Sequence, residues 1–234
     1  MRASLALMAA VALTAAIAAT PAAAKPPRFD QLVVFPNGDA ATQTVRAKAT
    51  RVRTARRRCR VPRATPLAAL VRSRVPKVRV RDFSGTCDPA SLFVRSIAGR
   101  RNLGQRGWVY KVGNRQGTTA ASDPAGPFGS GRITRRARVI WFYCVFGEGG
   151  CQRTLGLRVR EKGDGSVSVR ATAYDDEGRG APVKNAAVRS GDGDVLARTD
   201  AQGRASLDLD PGRHRLHVTK RGHIRSFDQR VRVD

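Results

Sequence analysis

The chain has 234 residues, 41% hydrophobic and 26% charged, and 44 Lys and Arg against 18 Asp and Glu leave a net charge of +26. A sequence pI of about 11.6 excludes cationic surfaces as easy partners and points to polyanions. Only three histidines, His214, His217 and His223, and four cysteines are present. With no G-x-S-x-G elbow, this leaves little for hydrolytic or metal chemistry, and no enzyme or cofactor is expected.

Met1-Arg2, the apolar stretch from Leu5 to Ala19 and the small residues Ala22-Ala23-Ala24 have the form of a secretory signal, residues 1–24, with cleavage after Ala24. No later stretch approaches the length of a spanning helix, so a secreted, extracellular protein without a transmembrane segment is expected. Leu32 to Phe35 reads as a strand ending at Pro36-Asn37-Gly38-Asp39, and Val45, Ala47 and Ala49 alternate with polar residues as a second strand does. Arg51, Arg53, Arg56, Arg57, Arg58, Arg60 and Arg63 then form a dense cluster suited to phosphate, sulfate or carboxylate contacts. A helix is predicted to start at Thr65 with Pro66 in its first turn and to run on Leu67, Leu70 and Val71 until Pro76 stops it. Further strands are expected at residues 78–81, 92–97, 108–112, 138–146 and 154–160.

An exported chain gives its cysteines a use as disulfides. Cys144 and Cys151 flank a glycine-rich reversal and pair across it; Cys59 and Cys87 follow by elimination from three possible pairings. The usual zinc spacing is absent, and no metal is expected.

Residues 25–160 hold 29 bases and six acids, whereas residues 161–234 hold 14 bases and 12 acids. The step falls at Glu161-Lys162-Gly163-Asp164-Gly165, read as a turn or short linker. Beyond it, alternating apolar positions such as Val167, Val169, Ala171 and Ala173 are separated by turns at residues 175–178, 191–194, 200–203 and 210–212. That spacing is that of a small all-β sandwich.

Ser91 to Gly99, Gly107-Trp108-Val109-Tyr110-Lys111-Val112-Gly113-Asn114 and Val139-Ile140-Trp141-Phe142-Tyr143-Cys144 resemble the C-terminal domain of transcobalamin, which also occurs in secreted bacterial proteins. The resemblance covers about residues 28–160. Ala181-Pro182-Val183, Thr199-Asp200 to Gly203 and Leu209-Asp210-Pro211-Gly212 resemble the turns of carboxypeptidase-regulatory or transthyretin-like sandwiches. These resemblances imply an α+β domain at 28–160, a mixed sheet with one short helix, followed by a β-sandwich at 164–234 that serves as a spacer.

The expected function is therefore non-catalytic binding or adhesion, with the arginine cluster meeting an acidic polysaccharide, an envelope polymer or a nucleic acid. The alternative is a small-ligand protein in which Trp108, Tyr110, Trp141 and Tyr143 form an aromatic platform, with a corrinoid as the ligand that the resemblance suggests.

Overall fold

The computed structural model describes residues 25–134, 136–162 and 165–234. The signal segment at 1–24, and Gly163 and Asp164 of the expected linker, lie outside the described residues. The fold is mostly β, with one α-helix among the described residues. The elements are β1 (Arg28–Val34), β2 (Ala40–Arg46), β3 (Thr50–Arg53), β4 (Arg58–Val61), α1 (Pro66–Arg72), β5 (Arg79–Asp82), β6 (Leu92–Ile97), β7 (Arg100–Arg101), β8 (Arg106–Val112), β9 (Arg115–Gln116), β10 (Arg138–Val145), β11 (Thr154–Glu161), β12 (Ser166–Tyr174), β13 (Gly180–Pro182), β14 (Ala187–Ser190), β15 (Val195–Arg198), β16 (Arg204–Asp208), β17 (Gly212–Thr219) and β18 (Gln229–Val233).

The central sheet has the order β2-β1-β10-β8-β9, with β1 and β10 parallel and the other neighbours antiparallel. β10 is apolar at nearly every position, and β1 from Leu32 to Val34, because both faces of the sheet are covered there. One face presents Phe29, Val33, Trp108, Tyr110, Val139 and Trp141 to α1, the hairpin β3–β4 and the three-stranded sheet β5-β6-β7. A seven-residue helix is marginal by itself. α1 persists because Thr65 Oγ accepts from Ala68 N at 3.2 Å, Pro66 fills its first turn, and Leu67, Ala68, Ala69 and Leu70 are buried.

The C-terminal half contains two four-stranded sheets, one with β11, β12, β13 and β16 and the other ordered β15-β14-β17-β18. Leu155, Leu157, Val167, Val169 and Leu207 from the first share one apolar cluster with Val188, Leu216, Val218 and Val233 from the second. β11, expected to close the N-terminal segment, instead pairs with β12 over eight residues, from Thr154 opposite Tyr174 to Glu161 opposite Val167. Of the residues flanking the anticipated linker, Gly165 N donates to Lys162 O and Lys162 N to Ser166 O. A polar glycine-containing turn carries the same local signal in a hairpin as between domains; among the described residues, strand pairing places β11, from Thr154, in a C-terminal sheet.

The two halves are joined across the second face of the central sheet. Leu32, Val34, Ile140, Phe142 and the Cys144–Cys151 disulfide pack against Ile224 and Phe227. At the far edge, Lys111 is fully buried. Its Nζ donates to Asp175 O at 2.7 Å and Tyr174 O at 3.3 Å, and lies 3.2 Å from an Asp176 carboxylate oxygen. The other oxygen of Asp176 accepts from Cys151 N at 3.0 Å. Burial pushes the Lys111 amine below its ordinary pKa, and Asp176 opposes that shift.

Removing Lys111 takes the amine donor from the carbonyls of Tyr174 and Asp175 and leaves Asp176 without its counter-ion. Lys111→Ala is expected to lower unfolding stability by about 3 kcal/mol, read as a drop in the denaturant midpoint. A change below about 0.5 kcal/mol would place this ion pair among ordinary surface contacts.

Candidate polyanion-binding surface

The arginine cluster forms the hairpin β3–β4 and its turn. In β3 and β4, Val52, Cys59 and Val61 point into the core, so the intervening Arg51, Arg53, Arg58 and Arg60 are exposed. The register places Arg51 opposite Arg60 and Arg53 opposite Arg58. Arg56 and Arg57 occupy the exposed turn, held by Thr54 N and Thr54 Oγ donating to Arg57 O at 2.9 and 3.0 Å. Arg63 is exposed beyond the hairpin. Like charges directly opposite one another destabilise a strand pair, and among the described residues no salt bridge includes Arg51, Arg53, Arg56, Arg57, Arg58 or Arg60.

The hairpin is held from below by its apolar residues and by the Cys59–Cys87 disulfide, which ties it to the segment after β5. Both expected disulfides are formed. Between the hairpin turn and the sheet β5-β6-β7 lies a groove of about 620 Å³. Its walls include Arg56, Arg81, Arg95, Phe83 and Phe93, and Arg79 of β5 and Arg101 of β7 are exposed in the same small sheet.

Asp82, the acid in this groove, is occupied internally: it accepts from Cys87 N at 2.9 Å, Gly85 N at 3.1 Å, Ser84 Oγ at 2.9 Å and Ser91 Oγ at 2.9 Å. Desolvation alone raises its carboxyl, but these hydrogen bonds outweigh that effect and hold the pKa below its ordinary value. Its charge organises the turn rather than neutralising the arginines. Cys59, Asp82 and Cys87 come together as possible metal donors, yet both sulfurs are consumed in the disulfide, which leaves one carboxylate and no metal site there.

The aromatic strands are packed differently from a platform. Trp108, Tyr110 and Trp141 are buried on the core-facing side of the central sheet, while Tyr143 is partly exposed. Trp108 Nε1 donates to Arg100 O at 2.9 Å and its ring meets Tyr143 edge-on at 5.7 Å. Tyr110 Oη donates to Thr119 O at 2.9 Å, and burial pushes its phenol up to about 12. The cavity beside Trp108, Tyr110 and Trp141 measures about 220 Å³, below the roughly 300–1,000 Å³ of pockets for drug-sized molecules. These side chains build the core, and Tyr143 alone offers a partly open ring.

His214 and His217 lie on opposite faces of β17, as strand alternation requires. His217 is buried beside Arg225 and Asp228; its Nδ1 is 3.7 Å from Asp228, which pairs with Arg225. Sequence reasoning found neither this cluster nor the aromatic groove. Phe83 and Phe93, each neighbouring an exposed arginine across an apolar-polar alternation, were the available signal for the groove.

Comparison with protein-family models, with curated proteins and with solved structures returns no match for this chain.

Burial, reinforced by Arg225, lowers the His217 pKa from 6.5 to about 4 against the opposing effect of Asp228. The folded state therefore binds a proton less readily than the unfolded chain. The resulting contribution is fully present above about pH 6.5 and is lost as pH falls through about 4, amounting to at most about 3 kcal/mol. Thermal midpoints measured across that window should fall with acid, and His217→Gln should flatten this part of the profile.

Proposed function

We propose that the chain is a secreted, non-catalytic binding or adhesion protein that engages extracellular or cell-envelope polyanions through the arginines of β3–β4 and its turn. Its architecture in this reading is an α+β domain, resembling the C-terminal domain of transcobalamin, followed by a β-sandwich that acts as a spacer. The observation that carries the reading is the register of the hairpin, two arginine pairs face to face with no acid in salt-bridge contact among the described residues. Their mutual repulsion falls when phosphates, sulfates or carboxylates come between them, so a bound polyanion stabilises a surface that folding alone disfavours.

Arginine suits this work because its planar guanidinium stays charged and offers paired donors to an oxyanion. The uncompensated charge extends beyond the hairpin through exposed Arg79, Arg81, Arg95, Arg100 and Arg101. A flexible anionic chain following this surface makes several contacts at once and releases a counterion at each.

Affinity for heparin or an oligonucleotide should fall linearly with salt on logarithmic axes, with a slope several times that of a single contact. Replacing Arg56, Arg57, Arg58 and Arg60 together by Gln should weaken binding and reduce that slope while the thermal midpoint holds or rises, since the replacement relieves like-charge contacts. Salt-independent binding, or an unaltered slope in the variant, would reject the assignment of this surface.

A further inference from the structure

The groove next to the hairpin adds a feature that charge alone leaves unexplained. Phe83 and Phe93 are 59% and 45% exposed, although they lie among residues otherwise arranged for an anion. Their rings meet edge to face at 5.1 Å, and the Arg81 guanidinium stands 4.4 Å from the centre of Phe83. Arg81 is the cross-strand neighbour of Phe93, while Val80 and Val94 beneath them are buried. Strand alternation therefore fixes ring and cation side by side on the outer face. Arg56 from the hairpin turn and Arg95 from β6 complete the cationic rim of the same 620 Å³ groove.

We infer that this groove binds single-stranded nucleic acid, with bases against Phe83 and Phe93 and backbone phosphates on Arg56, Arg81 and Arg95. The inference rests on the polyanion reading and narrows its ligand class. A sulfated or uronic polysaccharide and an inorganic polyphosphate satisfy the arginines but bring no planar aromatic face to the exposed phenyl rings. A duplex keeps its bases stacked inside. An unpaired strand offers negative charge at every link and a π-face at every base, the combination that aromatic residues in basic grooves recognise with little sequence preference. Insertion into an anionic membrane calls for rings that crown a ridge, whereas these two line a recess.

The test compares an oligothymidylate of about fifteen residues with an abasic strand of the same length, both titrated into the full chain at one salt concentration, beside heparin and phosphatidylglycerol vesicles. Oligothymidylate should bind roughly tenfold or more tightly than the abasic strand. The double variant Phe83→Ala, Phe93→Ala should reduce it to the abasic level while abasic binding and the thermal midpoint stay unchanged. Equal affinity for the two strands, or a base preference that survives the double variant, overturns the inference and leaves the polyanion reading standing. Vesicle binding that requires both rings, with no base preference, overturns it in favour of a membrane. Failure of heparin and both strands to bind removes the polyanion reading itself.

Discussion

A sheet that is apolar on both faces cannot be left half covered, and the central sheet of this protein is of that kind. Leu32, Val34, Ile140 and Phe142 point one way while Phe29, Val33, Val139 and Trp141 point the other. At about 25 cal/mol per Å² of apolar surface, exposing either side is prohibitive for a fold of ordinary stability. Two covers follow: the helix, the arginine hairpin and the small sheet on one side, and the C-terminal strands, through Ile224 and Phe227, on the other. Lys111 belongs to the same arrangement. Its side chain emerges on the C-terminal side of the sheet, where an amine can be accommodated because two main-chain carbonyls and Asp176 meet it.

The arginine surface is a by-product of how the first cover is built. The inward positions of β3 and β4 are taken by Thr50, Val52, Cys59 and Val61, so whatever alternates with them must face water. The chain places arginine at those outward positions, and the hairpin tolerates their repulsion because its underside and the Cys59–Cys87 link hold it in place. Asp82, which in another setting would neutralise a neighbouring arginine, is committed to the turn through Gly85, Cys87, Ser84 and Ser91. The field is left open to an outside partner.

What could be read from the sequence was what local chemistry determines. Thr65-Pro66 announced a helix because cap and proline act within one turn, and the helix lies at Pro66–Arg72. The run Val139 to Cys144 announced a strand because almost all of it is apolar. The glycine-rich reversal between Cys144 and Cys151 announced a disulfide for the same local reason. Arg51 to Arg60 were legible as a charge cluster but not as two strands, since the turn arginines Arg56 and Arg57 mask the alternation with Val52 and Cys59. Pairing of β11 with β12 was illegible because a hairpin turn and a linker share the same residues. The aromatic pairs at 108, 110, 141 and 143 carried periodicity without direction: alternation places them on one face, and only the packing of α1 and the hairpin makes that face the interior.

The two covers differ greatly in charge and lie on opposite sides of one rigid sheet. The molecule therefore carries a large permanent dipole along the axis from the C-terminal strands to the hairpin. In the proposed reading, the field of an anionic polymer layer orients such a body before contact, with the hairpin towards the layer. In that orientation the C-terminal half, with its near balance of 14 bases and 12 acids over residues 161–234, lies on the side away from the layer.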